Sequence, residues 1–259
     1  MFLAIDLGNT NLVLGIFKDN QLEYSWRVAT RRDGTVDEYG LICQNLFESA
    51  KLIYSELEGI VICSVVPPLN EVIASMCLKY LKIEPFWVEP AEQNLMPIRY
   101  TPVADVGADR IVTALAAFHR FEDSTIVVDF GTATTFDAIS KEGEYLGGVI
   151  APGLDISAEA LWNRAARLPR IEIGLPPKKV IGTSTVDSMK SGLYYGYLNL
   201  VDGILEQMQR ELEVAEVIGT GGISHSRQIQ GFHRIDHWDP DLTLLGLRIF
   251  FRHFQQKHQ

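Results

Sequence analysis

Short apolar runs open the chain and predict a series of strands. Residues Phe2–Ile5 and Leu12–Phe17 are almost continuously apolar, as expected of strands that are buried on both faces. Apolar and polar residues alternate in Leu22–Val28, which is typical of a strand with one exposed face. The polar residues Lys18–Gln21 lie between the last two runs and predict a turn. The chain therefore begins with three predicted strands.

Helix and strand signals then alternate. Thr35–Glu38 fits a capping box, so a helix is predicted to begin there. The apolar run Gly59–Val66 predicts a strand that two prolines end, and Asn70–Leu81 predicts a second helix. A short strand is expected at Phe86–Glu89.

The remaining segments predict one long loop and three further helices. Glu89–Gly107 is rich in proline and lacks periodicity, which favours a surface loop. Gly107–Phe121 carries the apolar stripe of a helix, and Gly182–Arg210 is helical by the same criterion. Near the end of the chain, Val214–Ile218 predicts a strand and Asp241–Gln256 an amphipathic helix that closes the fold.

One pattern of the chain occurs twice. Ile5–Asn11 aligns with Val128–Thr134, and each copy stands between two apolar strands. The alignment matches Asp6 with Asp129 and places a glycine two residues after each. Two copies of strand, Asp-x-Gly turn and strand indicate a duplicated domain.

Composition limits the class of partner. The 259 residues are 47% apolar and 22% charged, and their formal net charge is -10. Nucleic acid and anionic membranes would on average be repelled, so we expect no nucleic acid partner and no membrane partner. ATP is still compatible with this charge, because backbone amides and a metal ion can meet its phosphates.

The location of the protein is predicted from what its sequence lacks. No apolar stretch approaches the roughly 20 residues of a membrane span, and the apolar N-terminus is too short for a signal peptide. The three cysteines have neither zinc nor redox spacing and predict reduced, buried thiols. We therefore expect a cytoplasmic protein.

The first Asp-x-Gly segment has two interpretations. Asp6–Thr10 follows a buried strand, where Gly8 lets the backbone approach a ligand and the carboxylate of Asp6 could hold magnesium. The same residue types are common in ordinary hairpin turns. Its occurrence at the head of two similar units favours phosphate binding.

Two further segments leave alternatives open. Gly219–Gly222 could hold a nucleotide against bare backbone or could be a flexible connector, and no P-loop motif occurs. Asp109 could be the N-cap of the helix that follows or could accept a hydroxyl proton during phosphoryl transfer. Arg110 could form a structural ion pair or grip a carboxylate or phosphate of a substrate. His233 and His237 could share a helix face, but with no third ligand they predict a metal site only weakly.

Four motifs together resemble the type III pantothenate kinase family. They are Asp6–Thr10, Gly107–Arg110, Asp129–Thr135 and Gly147–Gly153, which occur in the family's order and spacing. The resemblance implies an α/β fold of two tandem actin-like (ribonuclease H-like) domains, with mixed sheets flanked by helices. The corresponding domains would be 1–121 and 122–259, the second ending in the closing C-terminal helix.

The same resemblance implies a reaction, cofactors and an assembly. ATP would phosphorylate pantothenate to 4'-phosphopantothenate, the first step of coenzyme A biosynthesis, with Mg²⁺ and a monovalent cation, K⁺ or NH₄⁺. A homodimer is expected, and the apolar face of the helix Ser184–Gln209 is predicted to form its interface. Other possible functions are another actin-like small-molecule kinase, a phosphohydrolase or a non-catalytic regulatory homologue.

Site residues are implied position by position. Asp109 would be the catalytic proton acceptor, Asp6 would hold magnesium and Asp129 potassium. The ATP site would consist of Asp6, Leu7, Gly8, Asn9, Thr10, Asn11, Leu12, Val13 and Thr132. The pantothenate site would consist of Tyr100, Gly107, Ala108, Asp109, Arg110 and Thr185.

Overall fold

The computed structural model describes residues 1–165, 167–173, 176–213, 215–222 and 231–257. The chain divides into two compact units, one formed by Met1–Ala116 with Asp241–Gln259 and the other by Ala117–Pro240. Each unit contains a five-stranded mixed sheet with helices against it. The predicted α/β class with two mixed sheets is therefore confirmed. Within the described ranges, no helix combines the length and apolar content needed to cross a membrane.

The first unit orders its strands β3-β2-β1-β4-β5. β1 pairs antiparallel with β2 and parallel with β4. The alternation predicted for the third strand is present, because every second residue of β3 is exposed. The strands are β1 (Phe2–Leu7), β2 (Asn11–Lys18), β3 (Gln21–Ala29), β4 (Ile60–Ser64) and β5 (Phe86–Trp87), and the helices are α1 (Val36–Ser49), α2 (Pro67–Met76), α3 (Ala108–Phe121), which runs on into the second unit, and α6 (Leu242–Lys257).

The helix starts of the first unit follow local chemistry. The predicted capping box at Thr35 is confirmed, since its hydroxyl accepts from the Glu38 amide at 3.3 Å and the Glu38 carboxylate accepts from the Thr35 amide at 2.8 Å. The predicted start of the second helix at Asn70 is wrong, because α2 begins at Pro67. Proline suits the first turn of a helix, where its missing N–H would have had no partner.

The C-terminal helix belongs to the first unit, which differs from the predicted domain 122–259. Phe251 of α6 stacks on Phe2 of β1 with ring centroids 4.1 Å apart. An added Cβ at Gly15 of β2 would lie 2.8 Å from a methyl of Leu244, so α6 packs closely on this sheet. The sheet face opposite α1 and α2 is apolar, and α6 covers it.

The second unit orders its strands β10-β9-β6-β7-β8. Read from β8 to β10, this order and the strand directions repeat those of the first unit from β3 to β5. The predicted duplication is thus present in the topology. The strands are β6 (Thr125–Phe130), β7 (Ala133–Ile139), β8 (Tyr145–Pro152), β9 (Glu216–Gly221) and β10 (His237–Trp238), and the helices are α4 (Leu154–Arg164) and α5 (Thr185–Glu211).

In the second unit, β9 and the burial of α5 differ from the sequence predictions. Val214, the first residue of the predicted strand, lies outside the described residues, and β9 begins at Glu216. The long helix α5 does not leave its apolar face open, as the predicted interface required, because seven of its apolar side chains are buried in the core of the same unit. These are Met189, Leu193, Tyr194, Tyr197, Val201, Leu205 and Met208.

Candidate active site

The first Asp-x-Gly segment is a tight turn between antiparallel strands. Asp6 stands near the end of β1, and the amide of Gly8 donates to the Asn11 carbonyl at 3.0 Å across the turn. Thr30, just after β3, holds the turn from outside, since its hydroxyl donates to the Gly8 carbonyl at 2.7 Å. The hairpin interpretation is therefore correct for the backbone, and any further chemistry depends on the surroundings of Asp6.

Two acidic side chains of the first unit interact at this turn. Burial raises the pKa of the Asp6 carboxyl to about 7, and repulsion from the Asp109 carboxylate adds to the rise. The thiol of Cys63 on β4 donates to Asp6 Oδ1 at 3.4 Å, and this hydrogen bond opposes the rise in the pKa of Asp6. A carboxyl that is held close to another acid and away from water is costly in its charged form. Such an arrangement is typical of a functional site.

Asp109 lies inside the first turn of α3. The Gly107 carbonyl accepts from the amides of Arg110 at 3.1 Å and Ile111 at 3.4 Å, so Gly107 is the cap residue. The N-cap interpretation of Asp109 is therefore wrong. Its Oδ1 accepts from the Arg110 amide at 2.8 Å, and burial raises the pKa of the carboxyl while Arg110 opposes the rise.

Arg110 is placed beside Asp109 rather than in solvent. Only 8% of Arg110 is exposed. Its positive charge favours the ionised form of Asp109, which a proton acceptor requires.

Gly107 leaves room for the Asp109 carboxylate. A Cβ added at Gly107 would lie 2.4 Å from Asp109 Oδ1 and 3.4 Å from a methyl of Val65. Because the first distance is far below van der Waals contact, any side chain at position 107 must displace the carboxylate.

We expect Gly107→Ala to reduce turnover while the protein stays folded. The added methyl moves the carboxylate of Asp109, and small misplacements of catalytic groups cost up to about 10²-fold. Initial rates and melting temperature are the measurements. Gly203→Ala is the matched control, because a Cβ there meets nothing within 4 Å. Equal rates for Gly107→Ala and the wild type would show that the carboxylate position does not matter.

The donors at Asp6 fit a magnesium ion. Magnesium takes oxygen ligands, usually one or two carboxylates together with water and phosphate oxygens. The electrostatic repulsion between Asp6 and Asp109 is the condition that a divalent cation relieves. Asp6 is the residue that would hold it. Among the residues that the structure describes, no group of three or more His, Cys, Asp or Glu side chains forms a metal cluster.

The second unit holds Asp129 at the position equivalent to Asp6. Gly221 of β9 has φ +89°, and a Cβ there would lie 2.3 Å from Asp129 Oδ1. Gly219 instead gives room to the Trp238 ring, which a Cβ would approach to 2.7 Å. Gly219 and Gly221 are therefore strand residues of β9 that pack against Trp238 and Asp129.

Thr132 lies in the turn after β6. The carbonyl of Thr132 is so close to Gly153, the cap of α4, that an added Cβ would approach it to 2.2 Å. Two of the four sequence motifs, Asp129–Thr135 and Gly147–Gly153, thus meet in space. The sequence predicted each motif but not their contact.

The other predicted residues have different surroundings. Tyr100 lies half-buried in a loop of the first unit, and Thr185 is exposed at the start of α5 in the second. His233 and His237 do not share a helix, because His237 is in β10 and His233 precedes it in a loop. His237 Nε2 lies 3.0 Å from Glu216 Oε2. The helical His pair is therefore wrong.

Three polar residues around the first turn were not found from the sequence. Cys63 contacts Asp6, Thr30 holds Gly8, and Arg32 donates to the Asn9 side chain at 3.0 Å. All three come from other parts of the chain, so only the strand pairing places them at the site.

Solved structures support the fold. A protein from Campylobacter jejuni, described as a putative Baf family transcriptional activator, is 20% identical with a TM-score of 0.62, over 98% of this chain and 100% of that one. MreB 5 of Spiroplasma citri bound to AMPPNP is 12% identical with a TM-score of 0.55, over 99% of this chain and 97% of that one. The predicted actin-like fold is confirmed.

Sequence relatives give the family. A family model described as Type III pantothenate kinase matches residues 2–207. The type III pantothenate kinase of Desulforapulum autotrophicum is 51% identical over 96% of this chain and 95% of its own length. That of Koribacter versatilis is 48% identical over 98% of this chain and 96% of its own length. The chain belongs to the type III pantothenate kinase family.

Proposed function

We propose that this chain transfers the γ-phosphoryl group of ATP to pantothenate and forms 4'-phosphopantothenate, the first step of coenzyme A biosynthesis. Family membership over nearly the whole chain carries the proposal, because it names the substrate. The interacting carboxylates of Asp6 and Asp109 support it, since phosphoryl transfer needs both a metal ligand and a place for the hydroxyl proton.

ATP is proposed to bind at the first turn, through residues Asp6 to Val13, and the family resemblance implies Thr132 as a further nucleotide-binding residue. The turn is held by backbone and side-chain hydrogen bonds, and a preorganised backbone costs little to order around phosphates. Asp6 is the proposed magnesium ligand. When bound, magnesium would neutralise charge on the phosphate oxygens.

Pantothenate is proposed to bind at Gly107 to Arg110, with Tyr100 and Thr185 as further contacts. Asp109 would accept the proton of the attacking primary hydroxyl. Its half-buried position leaves the carboxylate reachable by substrate, and the adjacent Arg110 favours the ionised form that can take up a proton.

A monovalent cation is proposed at Asp129. The close approach of Gly221 gives this carboxylate an environment unlike that of Asp6, so a different role is reasonable for it. We expect the rate to be low in sodium and to rise in potassium or ammonium. Initial rates at constant ionic strength are the measurement, and equal rates in sodium and potassium would remove this role from Asp129.

A homodimer is also proposed. The buried face of α5 does not support it, but on α5 Gly192 and Gly196, one turn apart, have open space where a Cβ would stand. Glycine weakens a helix by about 0.5–1 kcal/mol, so a partner that approaches these positions would explain them. Light scattering at assay concentration tests the dimer.

A cytoplasmic location is supported by the three cysteines, all buried and none in a disulfide.

The proposed reaction is tested by a panel of acceptors. Purified protein is incubated with ATP, Mg²⁺ and K⁺ and with pantothenate, sugars or other hydroxy acids, and ADP release is measured. We expect release that depends on pantothenate. Release without any acceptor would indicate a phosphohydrolase, and release only with a sugar would indicate another small-molecule kinase.

A further inference from the structure

A buried acid of the second unit has no role in the chemistry proposed above. Asp137 of β7 has 0% of its surface exposed. The hydroxyl of Tyr145 donates to its Oδ1 at 2.7 Å, and the hydroxyl of Thr135 donates to its Oδ2 at 3.2 Å. Burying a carboxylate is costly even when hydrogen bonds satisfy it. The presence of one here therefore requires a reason.

Asp137 lies on the same face of the sheet as Asp129. In the pairing of β6 with β7, Asp129 is opposite Thr135 and Val127 is opposite Asp137. Directly opposed residues share a face, with Cβ atoms about 4.5–5.5 Å apart. The alternate residues Val128 and Phe136 point instead into the core formed with α4 and α5. Asp129, Thr135 and Asp137 thus form a continuous polar row.

The first unit shows that the fold does not require this row. Its sheet has the same topology, and there Asp6 is opposite Val13 while Ala4 is opposite Gly15. The positions equivalent to Thr135 and Asp137 are therefore occupied by Val13 and Gly15. Of the two units, only the one with Asp129 has polar side chains at these two positions of the strand next to the shared aspartate.

The hydrogen bonds give the Thr135 hydroxyl a defined orientation. Its proton is directed to Asp137 Oδ2, so its oxygen can offer lone pairs elsewhere. Tyr145 occupies the other carboxylate oxygen of Asp137 and thereby fixes the acid. A neutral oxygen fixed in this way beside a carboxylate is a suitable ligand for a hard cation.

We propose that Thr135 is a second oxygen ligand of the monovalent cation at Asp129, and that Asp137 is a positioning residue that orients the Thr135 hydroxyl. The inference rests on the cation role proposed for Asp129. It adds the ligand next to that carboxylate and the hydrogen-bonded pair, Asp137 and Tyr145, behind it. Asp137 acts through Thr135 and does not touch the cation.

The test compares four variants for their response to potassium. Thr135→Val keeps the shape and removes the hydroxyl, Thr135→Ser restores it, and Asp137→Asn removes the charged acceptor. Thr125→Val is the matched control, because Thr125 is buried on the same strand and face as Asp129 but donates to the Asp123 carbonyl at 2.8 Å. Two quantities are measured: the potassium concentration for half-maximal rate, and the potassium-dependent rise in melting temperature without substrates.

We expect Thr135→Val and Asp137→Asn to raise the half-activating potassium concentration by about 10- to 100-fold and to weaken the thermal response. Thr135→Ser and Thr125→Val should stay close to the wild type. A wild-type potassium response that Thr135→Val leaves unchanged would overturn this inference and leave the role of Asp129 intact. A wild type without any potassium response would overturn both. If Asp137→Asn does not fold, the Val and Ser variants of Thr135 still decide.

Discussion

Replacing Asp109 by Asn is expected to lower turnover by roughly 10²- to 10⁴-fold, the usual effect of removing a general base. The substitution keeps the size of the side chain and an oxygen that can accept from the Arg110 amide at the start of α3. Melting temperature and ATP affinity should therefore remain near the wild-type values. Initial rates with saturating ATP and pantothenate are the measurement.

The control for this substitution is Asp105→Asn. Asp105 is exposed in a short 3-10 turn four residues before Asp109. Its substitution therefore removes the same charge from the same region. It should keep the wild-type rate. An Asp109→Asn variant that retained most of its activity would exclude Asp109 as the proton acceptor.

Replacing Asp6 by Asn is expected to have opposite effects on activity and on stability. Loss of the metal ligand should lower turnover by roughly 10²-fold or more, because a bound metal supplies several kcal/mol of transition-state stabilisation. The metal-free variant should nevertheless be more stable than the wild type at pH 8, since it lacks a carboxylate whose charge is destabilised by burial and by Asp109.

The pH dependence follows from the direction of the shift. The pKa of Asp6 is about 7 in the folded protein and 3.8 ordinarily, so the folded state holds the proton more tightly. The stability that this proton confers is complete below about pH 4 and is lost as the pH rises through 7. In EDTA, the melting temperature of the wild type should therefore fall across this range more than that of Asp6→Asn.

The control for charge is Asp33→Asn, which removes a carboxylate from the same unit whose side chain is 83% exposed. It should not reproduce the gain in stability at pH 8. If Asp6→Asn melted at or below the wild-type temperature at pH 8 in EDTA, the electrostatic account of the site would be wrong.

Much of the fold was predictable because its signals are local. The alternation in β3 and the capping box at Thr35 depend on neighbouring residues, and both are present as predicted. The repeated Asp-x-Gly turn predicted two related units, and the shared strand order agrees. The preference of proline for the first turn of a helix is also a local signal. However, two prolines after an apolar run also indicate the end of a strand, so the predicted start of α2 was too late in the chain.

What the sequence did not predict depends on pairing between distant segments. The turns of the two copies differ in length, since Leu7 pairs with Leu12 whereas Phe130 pairs with Thr134. This difference brings Thr135 rather than Phe136 opposite Asp129, and an ungapped alignment does not reveal it.

The site itself was predictable in part. Asp6 and Asp109 were found from motifs, but their interaction across more than a hundred residues of chain was not. The apolar stripe of α5 was predicted to pack against a second copy of the chain. The structure instead packs that stripe within its own unit, and periodicity alone cannot say which surface covers a helix.

The most direct test of the account is to identify the product and its stoichiometry. Wild-type protein is incubated with ATP, Mg²⁺, K⁺ and pantothenate, and the products are analysed by mass spectrometry and phosphorus NMR. We predict one phosphate on the primary hydroxyl of pantothenate for each ADP formed, and almost none with Asp109→Asn. ADP and inorganic phosphate in equal amounts with unmodified pantothenate would contradict the account.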